Sequence, residues 1–410
     1  MKSTILRTTE VSCTNCGKEL LFVPEVNRCP ECGEPLEVEH VTDGKISQVT
    51  YGANFMARYS DFYPYLDIEN VISLGEGNTA LVQSDPLASE LGFEKGNLFI
   101  KNETQNPTWS FKDRGTVVGA NLARSKGYKK LGVVSSGNNA ASCAAYAAAL
   151  GMQAFVFVPS HILEEKLLPI AVYGATVVKV EGDYGQLYYD SEKIGKKNEI
   201  FFANSDVPTR VEGAKSIAFE ICEQMEFDVP DWVIIPYGSG GTLRGIEKGF
   251  QEFKASGLIN KVPKIVGVQP EGCSPFYQAW KKGESQVSHF GEIRTIAHGV
   301  ANPYPPSGNQ VLRLIKEGRV SAPVMVLEKD ILSWHRKMAL SGIFAQPESC
   351  LPLAAAKQLR DEDIIKKDER VIILATGSGL KASTLLSKTG NYNINQEKLE
   401  NLDSLMGKIL

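Results

Sequence analysis

Short runs of β-branched residues alternate with helical patterns from about residue 70 onward, and this alternation constrains the fold more than any other feature of the sequence. The runs predict strands at Leu98–Lys101, Leu131–Ser135, Ala154–Pro159, Thr176–Val180, Trp232–Pro236, Lys264–Gln269 and Arg370–Ala375. The segments between them predict helices that include Asn139–Leu150, Arg210–Met225, Thr242–Ala255 and Leu351–Leu359. Alternation of this kind implies parallel sheets with helices on both faces. We therefore predict an α/β fold with two open, mostly parallel twisted sheets flanked by helices.

Composition excludes several classes of protein. The 410 residues are enough for two or three domains with a large buried core. Hydrophobic residues make up 43% and charged residues 22%, as in ordinary globular proteins. The net charge of −4 argues against nucleic acid or an anionic membrane as a partner. The segment from Met1 to Arg7 lacks the apolar core of a signal peptide, and no apolar run is long enough to span a bilayer, so we expect a cytoplasmic protein.

Four of the eight cysteines form two Cys-x-x-Cys pairs near the N-terminus, Cys13 with Cys16 and Cys29 with Cys32, and a glycine follows each pair. Two such knuckles suit tetrahedral thiolate coordination of zinc. A disulfide is less consistent with a chain without a secretion signal, although a redox pair or a lost metal remains an alternative. We predict a zinc ribbon over residues 1–45 that acts as a structural lid or docking module, because it carries few basic residues. The other cysteines are predicted to be buried hydrophobes: Cys143, Cys222, Cys273 and Cys350.

An aromatic run follows the ribbon. Its members are Tyr51, Phe55, Tyr59, Phe62, Tyr63 and Tyr65. Aromatic side chains bury large areas, and a run like this more often packs one domain on another than binds a ligand. We predict a packing role.

The segment Ser110-Phe111-Lys112-Asp113-Arg114-Gly115 carries the chemistry. Most lysines are solvated surface charges, but the residues around Lys112 indicate a partly buried helix start. Desolvation and the positive end of a helix lower the pKa of an amine. A neutral amine can form a Schiff base with an aldehyde and can later act as a general base.

Two glycine-rich turns and one polar turn follow strands farther along the chain. The glycine-rich turns are Gly238-Ser239-Gly240-Gly241-Thr242 and Thr376-Gly377-Ser378-Gly379, and the polar turn runs from Ser135 to Asn139. The turn Gly238-Ser239-Gly240-Gly241-Thr242 lets the backbone wrap around an anion, and it matches neither the ATP-type P-loop nor the dinucleotide motif. The polar turn from Ser135 to Asn139 either caps a helix or binds a ring oxygen and a substrate carboxylate. A reactive lysine together with a phosphate cradle points to pyridoxal phosphate.

These motifs resemble the fold type II pyridoxal-phosphate enzymes, whose fold is that of the tryptophan synthase β subunit, and most closely the threonine synthases. The matching segments begin at Leu74, Asn106, Ser135, Asn204 and Thr376: Leu74-Gly-Glu-Gly-Asn-Thr79, Asn106-Pro-Thr-Trp-Ser-Phe-Lys-Asp-Arg-Gly115, Ser135-Ser-Gly-Asn138, Asn204-Ser-Asp-Val-Pro-Thr-Arg210-Val-Glu-Gly213 and Thr376-Gly-Ser-Gly-Leu-Lys381. The resemblance covers residues 70 to 382, and some threonine synthases also carry a zinc ribbon. It implies a large cofactor-binding domain formed by residues 46–110 and 215–410, and a small mobile domain formed by residues 111–214.

The resemblance also implies a role for each site residue. Lys112 is the Schiff-base lysine, Asn138 contacts the ring oxygen, and Thr376 contacts the pyridine nitrogen. The cofactor phosphate is held by Gly238, Ser239, Gly240, Gly241 and Thr242. Substrate binding falls to Ser135, Ser136, Asn139, Asn204 and Arg210, with Lys101 as a further helper. A guanidinium suits a phosphate monoester because its fork matches two oxygens.

The implied reaction converts O-phospho-L-homoserine and water to L-threonine and phosphate. The chain departs from the family pattern at Asn139, at Ser378 and in the Gly-Ser-Gly-Gly-Thr loop, so two alternatives remain open. One is a related enzyme of β-replacement or β-elimination, such as a cysteate or cysteine synthase or a serine/threonine dehydratase. The other is a cofactor-free scaffold protein. We expect a small amino-acid substrate, no nucleic-acid or membrane partner, and either a monomer or a homodimer.

Overall fold

The computed structural model of the chain describes residues 10–23, 26–47, 54–162, 164, 167–182 and 184–382. The strands in this part, numbered in chain order, are β1 Glu10–Cys13, β2 Glu19–Leu21, β3 Leu36–Val38, β4 Leu81–Gln83, β5 Leu98–Asn102, β6 Lys130–Val134, β7 Gln153–Pro159, β8 Thr176–Val180, β9 Phe201–Phe202, β10 Trp232–Pro236, β11 Lys264–Pro270, β12 Val324–Val326 and β13 Val371–Ala375.

The α-helices are α1 Phe55–Arg58, α2 Asp85–Leu91, α3 Lys112–Ser125, α4 Asn138–Ala149, α5 Leu168–Ala171, α6 Tyr184–Asn198, α7 Pro208–Gln224, α8 Gly241–Ala255, α9 Pro275–Lys281, α10 Gly308–Lys316, α11 Glu328–Leu340 and α12 Leu351–Asp361. Short 3-10 helices occur at Ser60–Phe62, Ile68–Asn70, Glu103–Gln105, His298–Val300, Pro347–Cys350 and Gly379–Ala382. No helix in this described part is both long and apolar enough to cross a membrane.

Two mostly parallel sheets form the body of the molecule, and a small antiparallel sheet forms the N-terminal ribbon. The larger sheet has the strand order β12-β11-β10-β13-β5-β4, and only β4 runs antiparallel to its neighbour. The smaller sheet has the order β8-β7-β6-β9 and is parallel throughout. The ribbon has the order β2-β1-β3. These sheets confirm the predicted α/β class, and every strand predicted from the sequence is present.

The parallel strands place three functional turns at the carboxyl edge of the larger sheet. Strands β5, β13 and β10 are neighbours in this sheet. Their carboxyl ends lead into the lysine segment, the turn at Thr376 and the turn at Gly238. In open α/β sheets, ligands bind at this edge. The topology therefore brings together segments that lie more than 250 residues apart in the chain.

Helix α7 lies in direct backbone contact with the helices on either side of it, and glycines make this possible. A Cβ atom added to Gly213 would lie 2.1 Å from the carbonyl oxygen of Arg114 on α3. A Cβ added to Gly245 on α8 would lie 2.5 Å from the carbonyl oxygen of Val211. Only glycine permits such an approach, so Gly213 and Gly245 allow α3, α7 and α8 to pack side by side.

The aromatic run packs the ribbon linker against the same helices. The rings of Tyr59 and Phe62 lie 5.0 and 4.8 Å from the ring of Phe219 on α7. Phe62 also lies 5.2 Å from Phe253 on α8. The predicted packing role is confirmed for the described members of the run, and Tyr51 lies outside the described residues. The four scattered cysteines are all buried, as predicted.

Candidate active site

Lys112 is the first residue of helix α3, and its amine points into a buried region. The ammonium nitrogen lies 4.4 Å from the centre of the Phe111 ring. Burial lowers the pKa of Lys112 to about 7, and the positive charge of Arg210 acts in the same direction, whereas Glu348 opposes it. This confirms the predicted depression of the pKa. A large share of the amine is therefore neutral near pH 7, as nucleophilic attack on an aldehyde requires.

Arg210 lies in the first turn of α7, next to the lysine. A Cβ atom added to Gly115 would lie 3.0 Å from the Cα of Arg210, so α3 and α7 touch at this point. The guanidinium donates a hydrogen bond of 2.5 Å to the hydroxyl of Thr116, which itself donates to the carbonyl oxygen of Lys112 at 2.9 Å. Burial lowers the pKa of Arg210 to about 10. Thr116 was not predicted from the sequence, and it joins the guanidinium of Arg210 to the backbone of Lys112.

A small cavity lies between these groups and the glycine-rich turn. Its lining comes from the starts of α3, α7 and α8 and from the loop before α7: Phe111, Lys112, Gly115, Ser205, Arg210, Ala214, Gly241 and Thr242. Three helix N-termini therefore face one space. The N-terminus of a helix carries unpaired N–H groups and a partial positive charge. Together with the two cations, this arrangement favours an anionic ligand.

The glycine-rich turn is shaped so that larger residues cannot replace its glycines. A Cβ at Gly238 would lie 2.9 Å from the Cα of Val300, and a Cβ at Gly241 would lie 2.7 Å from the carbonyl oxygen of Ser205. Gly240 has a φ of 94°, in the left-handed region that favours glycine. The turn thus presents backbone N–H groups at the start of α8, and Thr242 adds a hydroxyl to the cavity lining. These features fit a phosphate group.

The turn at Thr376 packs directly against the lysine segment. The N–H of Phe111 donates to the carbonyl oxygen of Thr376 at 3.0 Å, and the N–H of Ser378 donates to the carbonyl oxygen of Trp109 at 2.9 Å. The hydroxyl of Thr376 lies 3.2 Å from that of Ser349. Two neutral hydroxyls therefore lie together at this end of the site, as suits a pyridine nitrogen without a carboxylate partner.

Asn138 begins helix α4 and reaches the same turn. Its side-chain amide donates to the Gln346 side-chain oxygen at 2.6 Å, and the Gln346 backbone N–H donates to the carbonyl oxygen of Gly377 at 2.8 Å. Asn138, from the end of the smaller sheet, thus meets Thr376, from the end of the larger sheet. The structure brings Lys112, Asn138, the glycine-rich turn and Thr376 into one region between the two sheets.

Glu348 is a buried carboxylate of the site that the sequence did not single out. A Cβ at Gly299 would lie 2.0 Å from a carboxylate oxygen of Glu348, so this carboxylate rests on the backbone of that glycine. Burial raises the pKa of Glu348, while the charges of Lys381 and Lys112 oppose that rise. The sequence signal is weak: Glu348 is a charged residue in the short segment directly before the alanine-rich helix α12.

The residues predicted to bind the substrate fall into two groups. Ser135 and Ser136 are half-buried and precede α4, on the side of Asn138. The side chain of Asn139 donates to the carbonyl oxygen of Ala203 at 3.2 Å, and its own oxygen has no hydrogen-bond partner among the described residues. A ligand donor could satisfy this buried oxygen.

The side chains of Asn204 and Lys101 already form hydrogen bonds within the protein. The side-chain oxygen of Asn204 accepts from the N–H of Val134 at 3.0 Å, and its amide donates to the hydroxyl of Ser191 at 2.8 Å. Asn204 therefore holds the loop before α7 and is not part of the lining of the Lys112 cavity. The ammonium of Lys101 is buried, and it donates to Glu220 at 2.7 Å. We therefore do not place Lys101 among the phosphate ligands.

The four N-terminal cysteines converge as predicted. Their sulfur atoms all lie within 4.8 Å of one another. The sulfur atoms of Cys13 and Cys32 are 3.4 Å apart, and those of Cys16 and Cys29 are 3.6 Å apart. Zinc–sulfur bonds of about 2.3 Å in a tetrahedron place sulfur atoms about 3.8 Å apart. The cluster therefore has the dimensions of a zinc site.

Comparisons with known proteins agree with this geometry. The model of the family described as "Pyridoxal-phosphate dependent enzyme" matches residues 72–377. The chain is 36% identical to a threonine synthase of Methanocaldococcus jannaschii, over 90% of this chain and 92% of that protein. It is 31% identical to a threonine synthase of Methanosarcina acetivorans, over the same shares of both chains.

A solved structure shares the fold at lower identity. The structure of maize serine racemase matches with a TM-score of 0.64 and 20% identity, over 88% of this chain and 98% of that one. Three observations indicate the same family. They are the fold, the lysine at a buried helix start facing a glycine-rich turn, and the relatives that match nine-tenths of the sequence. The chain belongs to the pyridoxal-phosphate-dependent enzymes of fold type II and, among them, to the threonine synthase family.

Proposed function

We propose that this chain converts O-phospho-L-homoserine and water to L-threonine and phosphate. The observation that carries the proposal is Arg210. It is a buried guanidinium beside the reactive lysine, and no carboxylate lies within ion-pair distance of it in the described part of the chain. A buried cation without an ion-pair partner is costly, and a dianionic phosphate ester would supply the missing charge.

Pyridoxal phosphate would be held by Lys112, by Asn138, by the turn from Gly238 to Thr242 and by Thr376. When bound, this cofactor withdraws electrons from the substrate Cα and makes its protons removable. The tight glycine turn at the start of α8 supports a role as the phosphate cradle, since a side chain at Gly241 would collide with the carbonyl oxygen of Ser205.

Lys112 and Arg210 would divide the work on the substrate. The amine of Lys112 has a pKa of about 7, so it can accept the Cα proton at neutral pH. Arg210 would bind the phosphate ester and stabilise the phosphate as it leaves from Cγ. The Thr116 hydroxyl bridges the two residues and would orient Arg210 toward the lysine. Asn139 offers an unpaired buried oxygen for a substrate donor.

The N-terminal ribbon would hold one structural zinc ion through Cys13, Cys16, Cys29 and Cys32. The four sulfur atoms support this, because all ligand positions come from protein thiols and leave no open position for catalysis. The division into a large domain and a small mobile domain, the cytoplasmic location and the choice between monomer and homodimer stay predictions.

Product analysis tests the proposed reaction. The purified yellow holoenzyme is incubated in turn with O-phosphohomoserine, O-phosphoserine, serine and threonine, and phosphate, keto acids and amino acids are measured. We expect equal amounts of threonine and phosphate from O-phosphohomoserine alone. Release of phosphate from O-phosphoserine with a replacement product, or of a keto acid from serine or threonine, would overturn the proposal in favour of β-replacement or β-elimination.

A further inference from the structure

Arg28, in the second knuckle of the ribbon, connects two loops that belong to opposite sides of the active site. Its guanidinium forms an ion pair with Asp206 and donates to the carbonyl oxygen of Pro306 at 3.0 Å. The Arg28 side chain is 15% exposed and that of Asp206 is 5% exposed, so this ion pair is largely desolvated. Such a pair is costly to break, because each partner leaves the other as an unpaired buried charge.

Each of the two loops touches the phosphate turn. Ser205 precedes Asp206, and its carbonyl oxygen would lie 2.7 Å from a Cβ at Gly241. Ser307 follows Pro306, and its N–H donates to the carbonyl oxygen of Ser239 at 3.1 Å. The loop with Asp206 leaves the smaller sheet and leads into α7 with Arg210, whereas the loop with Pro306 lies on the side of the larger sheet.

The position of Arg28 depends on the fold of the metal-binding knuckle. Its guanidinium also donates to the carbonyl oxygen of Gly33 at 2.9 Å, and the N–H of Gly33 donates to the carbonyl oxygen of Cys29 at 2.9 Å. Cys29 directly follows Arg28 in the chain. The next residue of the knuckle, Glu34, accepts from Arg313 of α10 at 2.8 Å and so fixes the knuckle on the body.

Arg28 also borders a cleft between the ribbon and helix α6. The cleft is lined by Asn27, Arg28, Tyr188, Tyr189, Glu192, Asn204, Asp206 and Val207. On this side of the knuckle, Arg28 reaches across to Asp206, which also accepts from the hydroxyl of Tyr188.

We propose that Arg28 is a positioning residue that couples metal binding in the ribbon to the anion site of the enzyme. A metal-bound knuckle holds Arg28 between Asp206 and Pro306. We call these two contacts of Arg28 the latch, and the latch keeps the loops at Ser205 and Ser307 against the phosphate turn. Loss of the metal or of the guanidinium makes both loops more mobile and lowers the affinity of the turn for the cofactor phosphate. The proposal rests on the proposed cofactor and zinc sites, but not on the identity of the substrate.

The test compares Arg28→Met with the wild type. The control is Lys18→Ala, which removes a half-exposed ion pair to Glu31 inside the ribbon and leaves the latch intact. For each protein we would measure zinc content, thermal unfolding, the Kd of pyridoxal phosphate for the apoenzyme, and amide hydrogen exchange over residues 203–210 and 305–311. The same measurements are repeated after zinc is removed with a chelator.

We expect Arg28→Met to bind zinc like the wild type and to raise the Kd of pyridoxal phosphate about tenfold, with faster exchange in both segments. Lys18→Ala should match the wild type. Zinc removal should raise the Kd of the wild type by a similar factor and leave that of Arg28→Met nearly unchanged, because the latch is already lost. An unchanged Kd in zinc-bound Arg28→Met would overturn the proposal, and so would an equal effect of zinc removal on both proteins.

The outcome is separate from that of the reaction assay. Threonine formation by the wild type together with an unchanged Kd in Arg28→Met would reject the latch and keep the proposed reaction. A weaker hold on the cofactor in Arg28→Met, without threonine formation by the wild type, would keep the latch and reject the reaction.

Discussion

Helix α3 carries two buried cations only two residues apart, and their surroundings are opposite. Arg114 donates to Glu103 at 2.7 and 2.8 Å and to Glu220 at 2.7 and 2.8 Å, and these carboxylates raise its pKa well above the usual value. Lys112 has no carboxylate within ion-pair distance in the described residues, and burial lowers its pKa to about 7. Arg114 is paired with carboxylates of the scaffold, whereas the amine of Lys112 is unpaired and can react with a ligand.

Helix α7 repeats this contrast. Lys215 forms ion pairs with Glu212 at 2.6 Å and with Glu252 at 3.0 Å. Arg210, one and a half turns earlier, donates to the neutral hydroxyl of Thr116 and has no carboxylate within ion-pair distance among the described residues. Burial of an unpaired charge costs several kcal/mol of folding free energy. The protein accepts this cost at Arg210, which faces the cavity, and this indicates that an anionic ligand provides the missing partner.

Replacement of Lys112 should have the largest effect of any single change. We expect Lys112→Ala to lose activity by at least about 10⁴-fold, because both the covalent anchor and the proton acceptor disappear. Borohydride reduction of the holoenzyme followed by mass analysis should show added mass on Lys112 in the wild type and in the control, and none in Lys112→Ala. Lys126→Ala, at the C-terminal cap of the same helix, is the control. Added mass elsewhere in the wild type would contradict the assignment.

Removal of Arg210 should separate binding from stability. With a phosphorylated substrate, we expect Arg210→Met to lower kcat/KM by about 10²- to 10³-fold, since a buried charge contact to phosphate is lost. Its stability in denaturant should equal or exceed that of the wild type, because an unpaired buried charge is removed. Arg210→Lys, measured in parallel, should retain part of the activity. A large loss of stability in Arg210→Met would show that this cation is a scaffold group.

The same substitution at Arg114 should give the reverse result. Arg114→Met leaves Glu103 and Glu220 as buried, uncompensated carboxylates, so we expect a loss of about 3–5 kcal/mol in the free energy of unfolding. Urea denaturation of the apoenzyme measures this directly. The control Lys357→Ala breaks an exposed pair with Asp361 and should stay within experimental error. Equal stability of Arg114→Met and Arg210→Met would erase the contrast between paired and unpaired cations.

Substitution of Glu348 should have the smallest effect of these changes, a shift in the pH midpoint of cofactor binding. Its charge raises the pKa of Lys112, whereas that of Arg210 lowers it. The neutral amine of Lys112 becomes more abundant as pH rises through about 7. We therefore expect the midpoint of apoenzyme recombination with pyridoxal phosphate to fall by about 0.5 pH unit in Glu348→Gln and to rise in Arg210→Met. Shifts in the same direction would contradict the charge arrangement.

Much of the fold and part of the site follow from local patterns. Each strand predicted from a β-branched run is present, and the helix that starts at Lys112 has the predicted depression of the lysine pKa. The short strands β4, β9 and β12 were not predicted, because two or three residues carry too little periodicity. The side-chain oxygen of Asn204 accepts from the N–H of Val134, a contact that its motif did not predict, and its role in substrate binding stays a prediction.

The sequence by itself determined the strand and helix alternation, the reactive lysine, the glycine turns and the four thiols, because each of these depends on neighbours within about ten residues. Only the tertiary structure decided which buried charges have partners. Glu220 meets Arg114 across 106 positions of the chain, and the packing of separate segments brings Glu348 near enough to Lys112 for its charge to raise the pKa of the lysine. The pairing of a charge depends on distances in space, and those exist only once the helices have packed together.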